Sequence, residues 1–408
     1  MAHDDMRQVL HLLAIDIANR RALAAWYGSR WLLPVLTCGE RWRAALLTHR
    51  WMASQGVDGD LVGQWLGRIG VNSTDWLVVI AARLARMAPP MQWLPIDALL
   101  SNALVEYQGW AVARTLARTT TPAVDGPFGT LTWLDDVKGW IHENAGTPVC
   151  SVSPFRAGAH EVVLGVDTAR GRLYFKGLPA DRSTEVRLTR ALSACAAASF
   201  ATTIASEERP DGSLWWLCEE CPGAPAQDPI LVVRALARMQ EAVTTFDGIH
   251  RELPALDLEG CARGLAAFLE ERADVGMMNQ CLERVAAGGV CEAWIPLDLH
   301  VTNVLVDASF DVRFIDLDAS FYGPAPLAAT VFADRCGDRR LYGDYERSWS
   351  APLGRVDWPA FETTAIALES WLGWQRVERH ARRGELHGAL DLAATRVRER
   401  LIRAIHRR

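Results

Sequence analysis

Short apolar runs bounded by Gly, Pro, Asp and Asn fill the first half of the chain, and past Gly223 the apolar positions recur mostly at helical spacing. The early runs predict strands over 8–16 and 21–26, with Tyr27-Gly-Ser turning the chain into Arg30-Trp-Leu-Leu-Pro34. Ala44, Leu47 and Trp51 share one face of a helix predicted over 41–55, which Gly56 is placed to end. A strand over 76–81 follows, and residues 92–97 lead into a helix of about twenty residues, completing an α/β unit. Residues 118–129 carry the Thr, Pro and Gly density of a linker. Thr132 can cap a short helix with Asp135 and Asp136 in its first turn and Trp133, Val137, Trp140 and Ile141 as its apolar stripe.

From Val152 the chain reads as strand-rich: a short strand, a polar loop at 156–161, strands over 162–166 and 172–176, and a turn at 167–171 between them. A helix is predicted from about 183 into the Ala-rich segment 191–198, then a buried strand over 214–218 and a connector at 219–223. Helices are expected over 231–246, 260–272, 279–287 and 396–408, the last with Val397, Leu401 and Ile405 recurring every fourth residue over a solvated basic face.

Between the last two of these helices lies a stretch of different character, Trp294 to Asp318. Asp298 and Asn303 bracket a short polar loop, Val304-Leu-Val306 reads as a strand, residues 307–309 turn, and Val312, Phe314 and Ile315 return, with Asp316 at the end. The hairpin brings Asp298, Asn303 and Asp316 to one edge. Two carboxylates and an amide are hard oxygen donors of the kind that suit Mg²⁺ carrying phosphates. Asn303 follows Asp298 by the spacing of a kinase catalytic loop, in which the Asp orients the acceptor hydroxyl and the Asn takes a metal. The alternative is a solvated hairpin whose polar residues only form turns.

With 408 residues, half of them apolar, the chain has room for two or more domains with full cores. A net charge of −6 gives no footprint for nucleic acid. An acidic start and the lack of an apolar run of spanning length predict a cytoplasmic protein with no membrane partner. Nine cysteines form no framework, and the single pair Cys218/Cys221 reads as packing thiols. Of 43 basic residues only Lys138 and Lys176 are lysines. Where any exposed cation suffices this chain uses arginine, so a lysine marks a place that calls for a compact ammonium. Nothing in the sequence fixes the oligomeric state.

Five motifs in order, Tyr174-Phe-Lys-Gly177, Glu185, Glu220-Cys-Pro-Gly223, Leu297-Asp-Leu-His-Val-Thr-Asn303 and Phe314-Ile-Asp-Leu-Asp318, make residues 150–408 resemble the aminoglycoside phosphotransferase family. The resemblance implies an α+β, two-lobed protein-kinase-like fold that transfers the γ-phosphoryl group of ATP or GTP, with Mg²⁺, to a hydroxyl of a small molecule: an antibiotic, a sugar or an amino-alcohol. It implies that Lys176 holds the α- and β-phosphates with Glu185 fixing its ammonium, that Gly158 lies in a weak phosphate loop, and that Glu219, Glu220 and Cys221 form an adenine-reading hinge. Asp298 would be catalytic, Asn303 and Asp316 would hold the metal, and Asp318 is as well suited to a structural role. Two departures stand out: Pro296-Leu297 replaces the family's His-Gly before the catalytic Asp, and Pro326 replaces an Asp before Leu327-Ala328. Residues 319–408 hold 15 arginines against 11 acidic residues, which does not favour a polycationic substrate.

The N-terminal unit resembles a Nudix domain through Trp31-Leu-Leu-Pro34, Gly39-Glu40 and Trp93-Leu-Pro-Ile-Asp97, but Ala53 and Ser54 stand where that family's metal-holding glutamates belong. The expected division is a smaller degenerate Nudix-like α/β domain over 1–118, a linker over 119–131, a first kinase lobe with docking helix and hinge over 132–223, and a helical lobe over 224–408. A catalytically dead nucleotide-binding regulator is the competing expectation.

Overall fold

The structure is a computed structural model, and it describes residues 8–16, 19–28, 30–38, 44–57, 59–66, 75–82, 91–102, 127–128, 133–157, 161–179, 182, 184–246, 249–269, 272–382 and 390–406. The chain forms two compact units, residues 1–181 with 203–220, and residues 182–202 with 221–408. No described helix is long and apolar enough to cross a membrane.

The first unit holds two sheets. In the first, β1 (Gln8–Asp16) pairs antiparallel with β2 (Arg21–Tyr27) and β4 (Val35–Cys38), and parallel with β6 (Asp75–Ala82). β3 (Arg30–Leu32) and β7 (Met91–Pro95) both pair with β2, and β5 (Gly59–Leu66) pairs with β6. Leu10, Leu12, Leu13, Ala14 and Ile15 are all buried, the continuous apolar run of a strand covered on both faces. Asp16 ends it by accepting from Asn19 N and Nδ2 at 3.0 and 2.9 Å. Among the described residues, helices α1 (Ala44–Gln55) and α2 (Ile96–Asn102) accompany this sheet. At the end of α1, Gly56 takes φ +65° and Val57 N donates to Met52 O at 2.9 Å, a Schellman closure.

The second sheet is antiparallel, ordered β11–β12–β10–β9–β8, from β8 (Val149–Ala157), β9 (Val162–Thr168), β10 (Gly171–Leu178), β11 (Thr203–Glu208) and β12 (Leu214–Glu219). Helix α3 (Trp133–Asn144) buries Trp133, Leu134, Val137, Trp140 and Ile141. Trp140 meets Phe175 and Trp215 edge to face at 5.8 and 5.7 Å, and its Nε1 donates to Glu207 Oε2 at 2.6 Å. One hydrophobic core runs from Leu10 to Leu217 through both sheets.

The second unit is helical around two short sheets. Its helices are α4 (Thr184–Cys195), α5 (Pro229–Thr244), α6 (Ile249–Glu252), α7 (Leu258–Ala266), α8 (Arg272–Ala287), α9 (Pro326–Cys336), α10 (Leu341–Arg347), α11 (Trp358–Arg382) and α12 (Leu390–Ile405). β15 (Val304–Val306) pairs with β13 (Ala224–Pro225) and β16 (Val312–Phe314), and β14 (Glu292–Pro296) pairs with β17 (Ser320–Pro324). Trp294, fully buried, anchors the core with Phe200 and Phe314 at ring distances of 5.8 and 5.4 Å. Residues 182–202 contribute Leu188, Leu192 and Phe200 to this core.

The helix expected over 260–272 ends at Ala266, and a new helix begins at Arg272 rather than near 279. The last helix begins at Leu390, not 396, and residues 93–95 of the expected Trp-x-Pro turn lie in a strand. β3, β4, β5, β11, β13, β14 and β17 were not anticipated from the pattern.

Buried Gln240 ties this unit together. Its Nε2 donates to Trp294 O (2.7 Å) and Ala325 O (3.0 Å), and its Oε1 accepts from Tyr345 Oη (2.6 Å), so one amide joins α5, β14, the start of α9 and α10. Gln240→Leu should cost about 3–5 kcal/mol, because two carbonyls and a phenol lose their partners inside the core. Tyr345→Phe should cost only about 1–2 kcal/mol. Urea unfolding of both variants checks this, and equal midpoints would contradict it.

Candidate active site

The loop after β14 carries two of the candidate groups, Asp298 and Asn303. Leu297 and Leu299 are both buried, while Asp298 between them is turned outward. Leu297 N donates to Ala319 O at 2.8 Å, continuing the pairing of β14 with β17 into the loop. Asn303 then closes it. Its backbone N donates to His300 O at 3.0 Å and its Nδ2 to Asp298 O at 3.0 Å. With the amide nitrogen spent on the loop, Asn303 keeps Oδ1 as an acceptor that can face a cation.

Asp316 follows β16, and the residue before it, Ile315, donates its N to Asn303 O at 3.0 Å. The hairpin therefore sets Asn303 and Asp316 at neighbouring positions. Asp316 is exposed and takes φ +62°, the left-handed region that a non-glycine residue occupies at a cost. Such a conformation at a candidate ligand is a mark of function. Among the described residues no group of three or more His, Cys, Asp or Glu side chains forms a protein-only metal cage. An amide oxygen and one carboxylate nonetheless fit Mg²⁺, which keeps waters and takes the rest of its shell from phosphates.

Asp298 is held by one imidazole and two guanidiniums. Its Oδ1 accepts from His300 Nε2 at 3.0 Å and from Arg335 Nη2 at 3.3 Å, and Arg376 Nη2 lies 3.6 Å from Oδ2. The hydrogen bond from His300, with help from both guanidiniums and against partial burial, holds the carboxyl well below the usual carboxylate range. Arg335, on α9, also donates to Leu299 O (2.8 Å), Leu297 O (3.2 Å) and Glu369 Oε1 (2.7 Å); the other oxygen of Glu369 is bound by Arg400. The loop carrying Pro296-Leu297 is thus braced by an arginine. Asp318 pairs with Arg182 at 2.7 Å, yet burial still raises its pKa, with Asp316 and Asp298 adding repulsion.

In the first unit, Lys176 lies on β10 opposite Trp216, its Nζ 5.6 Å from the indole centroid. Glu219 ends β12, and Glu220 N donates to Arg172 O at 3.2 Å while its carboxylate accepts from Tyr174 Oη at 3.3 Å. The chain passes from the first unit to the second between Glu220 and Cys221, within the expected hinge. Gly223 has φ +125°, and a Cβ there would stand 2.7 Å from Val306 O, so the motif's glycine is a steric requirement. Glu185 sits in the first turn of α4 and is buried, an unusual position for a carboxylate. Gly158 lies outside the described residues. Cys218 and Cys221 are free thiols.

Arg335 and Arg376 escaped the sequence reading, since nothing distinguishes two arginines among 41 when they stand far from the loop they serve.

Arg335→Lys should lower stability by about 2 kcal/mol, because one ammonium cannot span two carbonyls and two carboxylates. It should also raise the titration midpoint of Asp298, read by carbon NMR. A depressed carboxyl pKa contributes stability that is present above about pH 4 and is lost as the pH falls through the folded value, so the variant should lose less stability on acidification. An unmoved Asp298 midpoint would count against the brace. At Asp316, glycine should cost no stability, whereas valine, β-branched at positive φ, should cost about 1–2 kcal/mol despite the exposed site. Thermal melts of the two variants compare them.

No protein-family model matches the chain, and no curated protein matches it in sequence. Solved structures do match it in fold. A Ralstonia eutropha protein described as an aminoglycoside phosphotransferase is 14% identical with a TM-score of 0.50, covering 67% of this chain and 97% of its own. Choline kinase LicA from Streptococcus pneumoniae is 11% identical with a TM-score of 0.50, covering 67% of this chain and 98% of its own. The GDP and kanamycin complex of APH(2")-IIIa is 12% identical with a TM-score of 0.50, covering 65% of this chain and 98% of its own. The chain has the protein-kinase-like phosphotransferase fold over about two thirds of its length.

Proposed function

We propose that the protein transfers the γ-phosphoryl group of ATP or GTP to a hydroxyl of a small molecule. The observation that carries this reading is the loop of Asp298 and Asn303 set beside Asp316 in its left-handed conformation. The neighbours solved with GDP and kanamycin, and the choline kinase, support it at the level of fold.

In this reading Asn303 Oδ1 and the Asp316 carboxylate would hold Mg²⁺, which when bound neutralises charge on the β- and γ-phosphates. Lys176 supplies a point charge to the α- and β-phosphates, with Glu185 as its partner, and the backbone of Glu219 to Cys221 reads the base. Asp298 receives the acceptor hydroxyl as a hydrogen-bond donor. The acceptor oxygen bonds to the γ-phosphorus as the bond to the bridging oxygen breaks, and the nucleoside diphosphate leaves with the electron pair. A carboxylate with so low a proton affinity is a poor ground-state base. Asp298 therefore orients the hydroxyl and takes the proton late, once the oxygen has begun to bond phosphorus.

Residues 1–118 are proposed as the Nudix-like unit, joined through 119–131 to the lobes at 132–223 and 224–408. Ala53 and Ser54 are exposed on α1, and Ser54 Oγ is bonded back to Trp51 O at 2.7 Å, so these positions offer no carboxylate to a metal.

Asp316→Asn should abolish phosphoryl transfer with the melting temperature unchanged, because a ligand loses its charge but not its shape. Lys176→Arg should reduce kcat by roughly 100- to 1,000-fold, since a planar guanidinium cannot replace a compact ammonium. Lys138→Arg, on α3, should remain near wild type. These variants are compared by nucleotide consumption over a panel of hydroxyl acceptors. Equal activity of the two lysine variants would remove Lys176 from the site. Nucleotide binding with no turnover on any acceptor would favour the regulatory reading.

A further inference from the structure

The groups around Asp298 bear on what the acceptor molecule looks like, given the phosphotransferase reading on which this inference rests. A cationic substrate needs carboxylates that are free to receive it. Here the acids close to Asp298 in the network are already engaged: Asp298 by His300 and Arg335, Asp318 by Arg182, and Glu369 by both Arg335 and Arg400. Asp334 lies 3.8 Å from Arg400. Asp316 is the candidate metal ligand.

The cations differ in how far they are committed. Arg335 is 20% exposed and spends its guanidinium on two carbonyls and two carboxylates. Arg182 is 19% exposed and paired at 2.7 Å. Arg376, near the middle of the second half of α11, is 55% exposed, and among the described residues its ion-pair partner is Asp298, at 3.6 Å, too far for a good hydrogen bond. Its guanidinium thus stands beside Asp298 on a side chain that is more than half exposed.

We propose that Arg376 reads an anionic group on the acceptor, and that the substrate is a hydroxyl compound bearing a carboxylate or phosphate close to the hydroxyl that is phosphorylated. A hydroxyl at hydrogen-bonding distance from Asp298 would lie within about 6 Å of the guanidinium. That reach fits an anion one to three bonds from the hydroxyl-bearing carbon, as in a hydroxy acid or a sugar phosphate. The planar fork of arginine suits both carboxylate and phosphate, which it binds through two parallel hydrogen bonds. With an anion bound, the guanidinium would leave Asp298 to its hydroxyl and to His300. A quaternary or polyamine cation placed there would meet the guanidinium's charge instead.

The test measures Mg·ATP and Mg·GTP binding by calorimetry, then nucleotide consumption with acceptors of three charge classes. Glycerate and tartrate represent carboxylates, glycerol 3-phosphate and glucose 1-phosphate represent phosphates, glycerol and glucose are neutral, and choline and kanamycin are cationic. The acceptors that stimulate turnover should be anionic, and the two anionic arms tell carboxylate from phosphate. Arg376→Gln should raise KM for them about 10- to 100-fold with a smaller change in kcat, the effect of losing a charged hydrogen bond to substrate. Arg376→Glu should remove their turnover altogether. Stimulation confined to neutral or cationic acceptors, or an unchanged KM in Arg376→Gln, overturns the inference. Nucleotide binding without stimulation by any anionic probe also overturns it and leaves the phosphotransferase reading standing. No nucleotide binding at all would sink both.

Discussion

One guanidinium sets the geometry of the loop that carries Asp298. Arg335 reaches from α9 to the carbonyls on either side of Asp298, to the Asp298 carboxylate and to Glu369. The carbonyls of the two buried leucines that flank Asp298 need donors, and the arginine supplies them from another element. The same contact helps keep the Asp298 carboxyl ionised, so position and charge state are set together. Removing a partly buried ion that satisfies several groups costs more than any one of its bonds, because each partner is left unpaired.

Around that brace, the hairpin works as a spacer. β15 and β16 pair over only three residues each, enough to set Asn303 and Ile315 opposite one another and so to place Asp316. The left-handed turn at Asp316 breaks the strand and sends the chain on through Leu317 and Asp318 toward β17. Asp318, two residues on, is taken up by Arg182. Two carboxylates that are near neighbours in sequence therefore have different surroundings, Asp316 exposed and Asp318 half-buried against Arg182.

The candidate groups that the sequence offers most readily are those that lie close together along it: Asp298, Asn303 and Asp316 share one hairpin. Lys176 stands out on a different ground, the rarity of lysine in this chain. Arg335, Arg376 and Gln240 act on partners 34 to 105 residues away, and local pattern carries no record of such contacts. The missed strands have similar causes. β14 and β17 are five residues each and pair across a 23-residue gap in sequence, and β5 contains two glycines, an aspartate and a glutamine with a register shift between Leu61 and Gly63, so it reads as a loop. The end of the helix at Ala266 went unseen because no proline or glycine follows it at 267–269.

The way the chain threads its two units constrains how it can be made. The first unit needs residues 203–220, whose strands β11 and β12 complete the sheet begun by β8 to β10, yet residues 182–202 in between belong to the second unit. A ribosome delivering this chain from its N-terminus exposes the edge of β10 well before β12 has been synthesised. The five-stranded sheet can close only when residue 220 has left the exit tunnel, and the helix emitted in the meantime must wait for a core whose central tryptophan, Trp294, is translated some hundred residues after it. Neither unit is a segment that could be cut out and exchanged as a cassette, so an insertion or fusion point is better sought in an exposed turn such as 169–170 than at the crossing between Glu220 and Cys221.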